Sequence, residues 1–472
     1  MISKFKTNPH LKESPSLWCL ISVVAFHLAN LNTWLAPLMI VFFFGLIKAS
    51  QLGSARTNFY RGLAIGLLIY AWQLRFFLNI FSEAAVVLWL ILAFWIGLFM
   101  VLANHYQRSR NMALQILLLV SSWMTLEYFR GELYYLKFTW ITPGMAFSPS
   151  DALSSIGWMG VYGLSTCCLA IASLSLLFEP AKRLDWVWGS TLVTGMFLVL
   201  VSDPYPSHTP SSHTIEIGGV HVDDPGSANG LLVLERFMDQ HPQTELIVLA
   251  EYAFLGEPPE SLREWCRSRQ VHLVAGGTQP LPDDTYYNTA FVISPKGEIV
   301  HKQAKSVPIQ FFKDGLPAQE QDVWQSPWGP IGICICYDLS YTRVTDGLIR
   351  KGATMILVPT LDELHWGKSQ HLLHSRIAPM RSAEYRVPIV RVGACGISQA
   401  VDEGARVIAS TSFPGEGATL HAKLSPSQHA RIPLDRFWVW IAGPVVLIEL
   451  LASGYVRSTK CSATREPPAR IV

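Results

Sequence analysis

Between Ser14 and Ile47 the chain carries no Asp, Glu, Lys or Arg. Two apolar runs share that stretch and part near Asn30-Leu31-Asn32-Thr33. A bilayer-crossing helix needs about 20 apolar residues, so the stretch predicts a hairpin of two spans. Further candidate spans fall at about 58–78, 84–104, 111–129, 153–178 and 186–202, and a last one at about 437–455. The pattern is seven spans, a long gap and one more. A removable signal peptide would have a short apolar core and a small-residue cleavage site. The first run is long and no such site follows it, so a retained span is expected.

Lys and Arg in short loops set orientation. They occur as Lys4, Lys6 and Lys12 at the start, then Lys48, Arg56 and Arg61, then Arg108 and Arg110, then Lys182 and Arg183, and finally Arg457, Lys460, Arg465 and Arg470. With eight spans these five segments share one side, the cytoplasmic one. The long insert then lies outside. Trp34, Trp140, Trp158, Trp186, Trp188, Trp438 and Trp440 fall near span ends, where interfacial anchors are expected.

Composition agrees with two unlike parts. The chain is 50% hydrophobic and 15% charged, against about 25% charge in a soluble domain. That excludes intrinsic disorder. Eight Cys in 472 residues exclude a small disulfide scaffold. A net charge of +2 gives no argument for nucleic acid as a partner.

The insert reads differently. Pro204, Pro206 and Pro210 open it as a linker. Strands are predicted at Ile215–Val222, Leu246–Leu249, Val271–Ala275, Ala290–Ile293, Ile331–Ile335, Met355–Val358 and Ile389–Val392. Helices are predicted at 227–240, 258–269, 340–351 and 367–385. This alternation predicts a layered α/β domain. The expected division is 1–204 as a membrane domain, 205–435 as the outer domain, and 436–472 as a last span with a tail.

Chemistry is expected at strand ends. Glu251 follows the run Leu246-Ile247-Val248-Leu249-Ala250, and Cys336 follows Ile331-Gly332-Ile333-Cys334-Ile335. A thiol, a carboxylate base and a lysine are a workable set for covalent acyl transfer. His365, His371 and His374 lie near Asp362 and Glu363 but match no strong zinc spacing. They predict a polar helix surface over the site, with no metal. No structural disulfide is expected among Cys266, Cys334, Cys336 and Cys395, since the proposed thiolate is one of them.

Several motifs carry a resemblance. They are Glu127-Tyr128-Phe129-Arg130-Gly131, Gly160-Val161-Tyr162-Gly163-Leu164-Ser165, Tyr287-Asn288-Thr289-Ala290, Cys336-Tyr337-Asp338, Trp366-Gly367-Lys368-Ser369-Gln370-His371 and Arg381-Ser382-Ala383-Glu384. With the layout of spans, they make the chain resemble the apolipoprotein N-acyltransferase family, membrane-embedded members of the nitrilase superfamily. The resemblance implies an α-helical membrane bundle with an inserted nitrilase-like α-β-β-α sandwich. It implies a bacterial inner-membrane protein with a periplasmic catalytic domain and cytoplasmic termini. It implies Glu251 as general base, Cys336 as the nucleophile that forms a thioester, and a lysine at the oxyanion. Counting in register from Gly297 gives Lys305, which is preferred. Counting back from Val307-Pro308 leaves Lys302 open if one residue is inserted. Cys334, on the same strand, is taken as structural. Tyr337, Asp338, Trp366 and Phe311 are the implied substrate contacts, and Phe312, Leu364 and His365 are further candidates for a lipid entrance. The implied partners are a phospholipid acyl donor, a lipoprotein or other amine acceptor, and the membrane. No cofactor is implied.

The chain also departs from the family pattern. Leu249-Ala250-Glu251 stands for Trp-Pro-Glu, and Ala394-Cys395-Gly396 stands for Asn-Thr-Gly. Val307-Pro308-Ile309-Gln310-Phe311 lacks a second glutamate, for which Asp314 or Glu320 could substitute. These changes resemble divergent members such as the TraB type of plasmid-transfer protein. Three readings stay open: acyl transfer, a membrane-tethered amidase or nitrilase with water as acceptor, and a catalytically degenerate factor in conjugal transfer or envelope assembly.

Overall fold

The computed structural model describes residues 14–107, 111–149, 155–174, 214–415 and 417–463. The N-terminal part is helical: α1 (Pro15–Ala29), α2 (Leu38–Ser50), α3 (Ala55–Gln73), the short α4 (Phe77–Phe81), α5 (Ala84–Tyr106), α6 (Met112–Tyr128) and α7 (Ile156–Leu174). Pro15 stands at the start of α1, where its missing N–H is harmless. Asn32 accepts the Trp34 N–H and shapes the turn to α2. Helices α3 and α5 approach closely through small residues. A Cβ on Gly62 would lie 2.7 Å from the Gly97 Cα. Such contacts let apolar helices gain packing where no hydrophobic drive exists between them.

Among the described residues, four helical stretches are long and apolar enough to cross a membrane: Ala84–Tyr106, Met112–Leu133, Ile156–Leu174 and Asp435–Gly454. The expected count of about eight is not reached there. Helices α1 and α2 have 15 and 13 residues. At 1.5 Å per residue they reach about 20–22 Å, short of a core of about 30 Å. Helix α3 has 19 residues but carries Arg56 and Arg61. The expected span 186–202 lies outside the described residues.

The insert forms two six-stranded sheets. The first contains β1 (Ile215–Val220), β2 (Leu246–Leu249), β3 (His272–Pro280), β4 (Tyr286–Ile293) and β5 (Ile299–Ala304). The second contains β6 (Val323–Ser326), β7 (Gly329–Ile333), β8 (Met355–Thr360), β9 (Ile389–Gly393), β10 (Gln399–Val401) and β11 (Val407–Ser410). The last strand, β12 (Thr419–Leu424), returns to the first sheet. The orders are β12-β1-β2-β3-β4-β5 and β11-β10-β9-β8-β7-β6. Each sheet has three parallel strands at its centre, β1-β2-β3 and β7-β8-β9, with antiparallel strands outside.

Side-chain alternation places the sheets in layers. Ile247 and Leu249 of β2, Leu273 of β3 and Phe291 of β4 pack with Leu234, Phe237 and Trp265 of α8 (Ala228–Gln240) and α9 (Glu260–Arg269). Their neighbours Leu246, Val248, Val274 and Ala290 turn to the other face and join Ile333, Val358 and Val390 of the second sheet. Outside the second sheet lie α10 (Thr342–Arg350) and α12 (Ile377–Tyr385), the latter preceded by α11 (Lys368–Ser375). The result is an α-β-β-α sandwich. The predicted helix over 367–385 is broken at Arg376. Helix α13 (Asp435–Ala463) closes the described chain.

The two parts interlock. A π-helical turn, Phe129–Leu133, ends α6 and buries Glu132. Glu132 accepts the Tyr162 hydroxyl at 2.8 Å and the Thr342 N–H at 3.0 Å. Glu384 of α12 accepts the Val161 N–H at 2.8 Å and pairs with Arg436 of α13. Trp140 is not an interfacial anchor: it is buried, and its indole donates to Ser340 at 2.9 Å. Trp34 and Trp440 are exposed, and Trp186 and Trp188 lie outside the described residues.

Candidate active site

Glu251 stands just past β2 and is buried. A Cβ on Gly276 of β3 would fall 2.6 Å from the Glu251 Cα, so only glycine there admits this backbone. Lys305 follows β5, and its N–H extends the ladder to the Asn288 carbonyl at 2.8 Å. Its ammonium donates to Glu251 Oε1 at 2.8 Å and to Asp314 Oδ2 at 2.7 Å. Asn288 donates to the same Glu251 oxygen at 2.7 Å and to Asp314 at 2.9 Å. The other Glu251 oxygen accepts the Leu361 N–H at 2.8 Å.

Cys336 follows β7 at the start of a tight turn, Cys336–Ser340. Its φ is +49°, a conformation that costs a non-glycine residue about 1–3 kcal/mol and so marks a held geometry. The thiol faces the Leu361 carbonyl at 3.5 Å. Burial, and after it the charge of Glu251, push the thiol well above its usual range, while Lys305 opposes them. Burial also pushes Glu251 up, with Lys305 opposing. Burial works against the Lys305 charge, but Glu251, Cys336 and Asp314 outweigh it and hold the ammonium. The resting thiol is therefore protonated and needs a base, and the base stands beside a fixed cation.

Lys302 is elsewhere. It lies on the exposed side of β5 and pairs with Glu257. Asp338 is not at a substrate surface either. It is fully buried, and its carboxylate accepts the N–H groups of Ser306, Val307 and Ile335, with Val307 at 2.7 Å. It clips the segment after Lys305 to the strand that delivers Cys336. Of the two expected substitutes for a second glutamate, Asp314 is the one at the site: it accepts from Tyr252, Asn288 and Ile309 and pairs with Lys305. Glu320 is exposed.

Tyr337, Trp366 and Phe311 line a cavity that also has Cys336 in its wall. Its other walls are Phe76, Phe77, Ile80 and Phe81 around α4 and Leu88, Ile91 and Leu92 of α5. Phe81 packs edge-on to both Phe311 and Phe312, and Phe312 packs on Trp366. Phe311 is 70% exposed. The cavity thus joins the thiol to the short α4 and to α5, which is long and apolar enough to cross a membrane.

His371 and His374 do not form a polar outer surface. Both are buried against Asp362. His374 Nδ1 lies 2.7 Å from Asp362 Oδ1, and Arg391 holds the other oxygen. Burial would raise Asp362, but His374 and Arg391 hold its carboxyl well below the usual range. Cys336, Asp362 and His374 each bring one donor atom within 4.8 Å of the others. The cluster does not fit a cation, because a guanidinium already occupies the carboxylate. Arg381 accounts for another motif: it donates to the carbonyls of Leu339 and Ser340 and holds the turn after Cys336.

A sandwich with a Glu–Lys–Cys constellation at its strand ends defines the nitrilase class. Residues 230–433 match the family model described as carbon-nitrogen hydrolase, and residues 19–174 match the apolipoprotein N-acyltransferase N-terminal domain. The apolipoprotein N-acyltransferase of Geobacter metallireducens is 22% identical over 92% of this chain and 94% of that protein. That of Bdellovibrio bacteriovorus is 28% identical over 35% of this chain, and the match spans only 37% of the relative's length. Omega-amidase NIT3 of Saccharomyces cerevisiae is 26% identical over 41% of this chain and 79% of that protein. Among solved structures, Saccharomyces cerevisiae Nit3 aligns over 47% of this chain and 93% of its own, at 20% identity and a TM-score of 0.39. Taken together, the two models and the Geobacter relative make the chain similar to the apolipoprotein N-acyltransferases of the nitrilase superfamily along most of its length.

Proposed function

We propose that the chain is a membrane acyltransferase working through a thioester on Cys336. Glu251 takes the thiol proton, and the sulfur attacks the ester carbon of a phospholipid acyl chain. The Lys305 ammonium stabilises the oxyanion. Collapse breaks the ester C–O bond, and the leaving alcohol takes the proton back from Glu251. An amine, in the family a lipoprotein N-terminus, then receives the chain. The observation that carries this reading is the apolar cavity, which joins Cys336 to α5, a helix long and apolar enough to cross a bilayer. A hydrolase acting on small polar amides has no need of such walls.

Residues 1–204 and 436–472 are proposed to lie in the bacterial inner membrane and its cytoplasmic margin, with 205–435 on the periplasmic face. The arrangement of Asp314 around Lys305 supports a working site over a degenerate one. The omega-amidase likeness favours one second reading, in which water takes the acyl group. Both are tested with the purified protein in vesicles carrying a phospholipid labelled in its acyl chain. The expected result is a hydroxylamine-sensitive label on the wild type, none on Cys336→Ala, and passage of the label to a diacylated lipopeptide. Release as free acid with no amide formed would favour the amidase. A wild type that never labels would overturn both.

A further inference from the structure

Glu251 holds one proton, yet transfer to an amine has more than one to move. A peptide α-amine titrates at about 7.7–8.0 and so arrives at neutral pH mostly as ammonium. It sheds one proton before it can attack and another as the amide forms. The departing thiolate takes one back. One proton per turnover needs a second acceptor.

The cavity holds a group suited to that task. His374 of α11 and Asp362, just past β8, approach Cys336 with their donor atoms mutually within 4.8 Å. His374 Nδ1 lies 2.7 Å from Asp362 Oδ1 and 2.9 Å from Arg391 Nη2. The shorter, carboxylate contact needs a proton between its two atoms. That assigns Nδ1–H to Asp362 and leaves the Arg391 guanidinium to the other Asp362 oxygen, which it already holds. That assignment leaves the lone pair on Nε2, because the contacts to Asp362 and Arg391 are both made by Nδ1. Gln370 holds the same Asp362 oxygen at 2.9 Å. Trp140 stacks on the imidazole at 4.6 Å and 13°, fixing its plane from the membrane side. The titratable and charged groups facing the ring are Asp362, Arg391, His371 and Cys336. Burial pulls the imidazole below its ordinary value, Asp362 opposes this, and Arg391 adds to it. The ring therefore rests neutral.

We propose that His374, oriented by Asp362, is the catalytic proton acceptor for the incoming amine in the second half-reaction, a task separate from that of Glu251. The proposal rests on the acyl-transfer reading above. The ammonium gives one proton to Nε2. The freed nitrogen lone pair forms the C–N bond at the thioester carbon. The C–S bond breaks, and the nitrogen's surplus proton passes through Glu251 to the sulfur. Amide and thiol result, and the imidazolium returns its proton to water. The first half-reaction needs none of this, since the thiol proton ends on the leaving alcohol.

The test separates the half-reactions in His374→Gln and Asp362→Asn, with the full chain in vesicles. Thioester formation from labelled phospholipid is read first, then its decay on adding a diacylated lipopeptide. His374→Gln is expected to form the thioester within about 2-fold of wild type and to transfer it about 10²–10⁴-fold more slowly near pH 6.5. The deficit should shrink as pH rises toward the amine's own value, because the amine then arrives deprotonated. Asp362→Asn should slow transfer with the same pH dependence; because the Asp362 charge also raises the Cys336 thiol, its thioester rate is not held to the wild-type value. Equal losses in both half-reactions would make His374 structural and overturn the proposal, as would an unchanged transfer rate. A wild type that forms no thioester would instead sink the acyl-transfer reading itself.

Discussion

Asp314→Ala should be the most damaging single change that touches neither the thiol nor its base. The wild-type carboxylate pairs with Lys305 at 2.7 Å and accepts from Ile309, Tyr252 and Asn288 at 2.8, 2.9 and 2.9 Å. Lys305 is fully buried. Alanine leaves that ammonium with Glu251 alone, strips Tyr252 and Ile309 of their acceptor, and leaves Asn288 only its bond to Glu251. Removing one partner of a buried ion pair costs about 3–5 kcal/mol. For a domain of this size that is a fall of about 6–20 °C in melting temperature. The same change frees Lys305 to shift toward Glu251, so thioester formation should fall with it. Asp314→Asn keeps the volume and one acceptor and should lose less stability. Tryptophan-fluorescence melts and single-turnover labelling read both quantities. A shift below about 2 °C with a wild-type labelling rate would refute the idea that Asp314 replaces the absent glutamate.

Lys302→Ala should leave labelling intact, because an exposed pair with Glu257 is worth about 0–1 kcal/mol, whereas Lys305→Ala should abolish it; equal effects in the labelling assay would contradict the geometry. Glu251→Gln should move alkylation of Cys336 by iodoacetamide to lower pH. Burial and then the Glu251 charge raise the thiol and Lys305 lowers it, so removing the carboxylate takes away one of the raising effects while the cation stays; a midpoint that stays or rises in a pH series would count against this. Leu88→Trp, which puts bulk into the cavity from α5, should shift donor preference toward shorter acyl chains, read by competition between two labelled phospholipids.

The central strands were legible because each is buried on both faces and reads as an unbroken apolar run. Leu246–Leu249 is the clearest case. Strand β5, with alternate residues exposed, gives no such run, and neither do the edge strands β6 and β11. Glu251 and Cys336 could be found because each ends a buried run. The preference for Lys305 over Lys302 came from the family resemblance, by counting from the hairpin glycine Gly297, and not from these residues alone. The place of Asp314 could not be read, since it depends on a loop folding back across β4. Asp338 was misread because a motif position says nothing of whether a carboxylate meets substrate or backbone. Trp140 looked like an interface anchor by its position, and its stack on His374 appears only when residues far apart in the chain are brought together. The histidines of α11 gave a polar pattern, but the helix turns that face inward against Asp362.

The walls of the cavity have a consequence for how turnover should be measured. They include α4 and α5, with the exposed Phe311 and Phe312 packed on Phe81 of α4. On the proposed acyl-transfer reading, a phospholipid donor entering there comes sideways out of a sheet of lipid. The variable that sets occupancy is then the mole fraction of donor among the surrounding lipids, not its amount per litre. Diluting vesicles in buffer should leave the rate per enzyme unchanged, while diluting the donor with a non-hydrolysable ether lipid should lower it in proportion. Kinetic constants for such a site belong to a two-dimensional solvent.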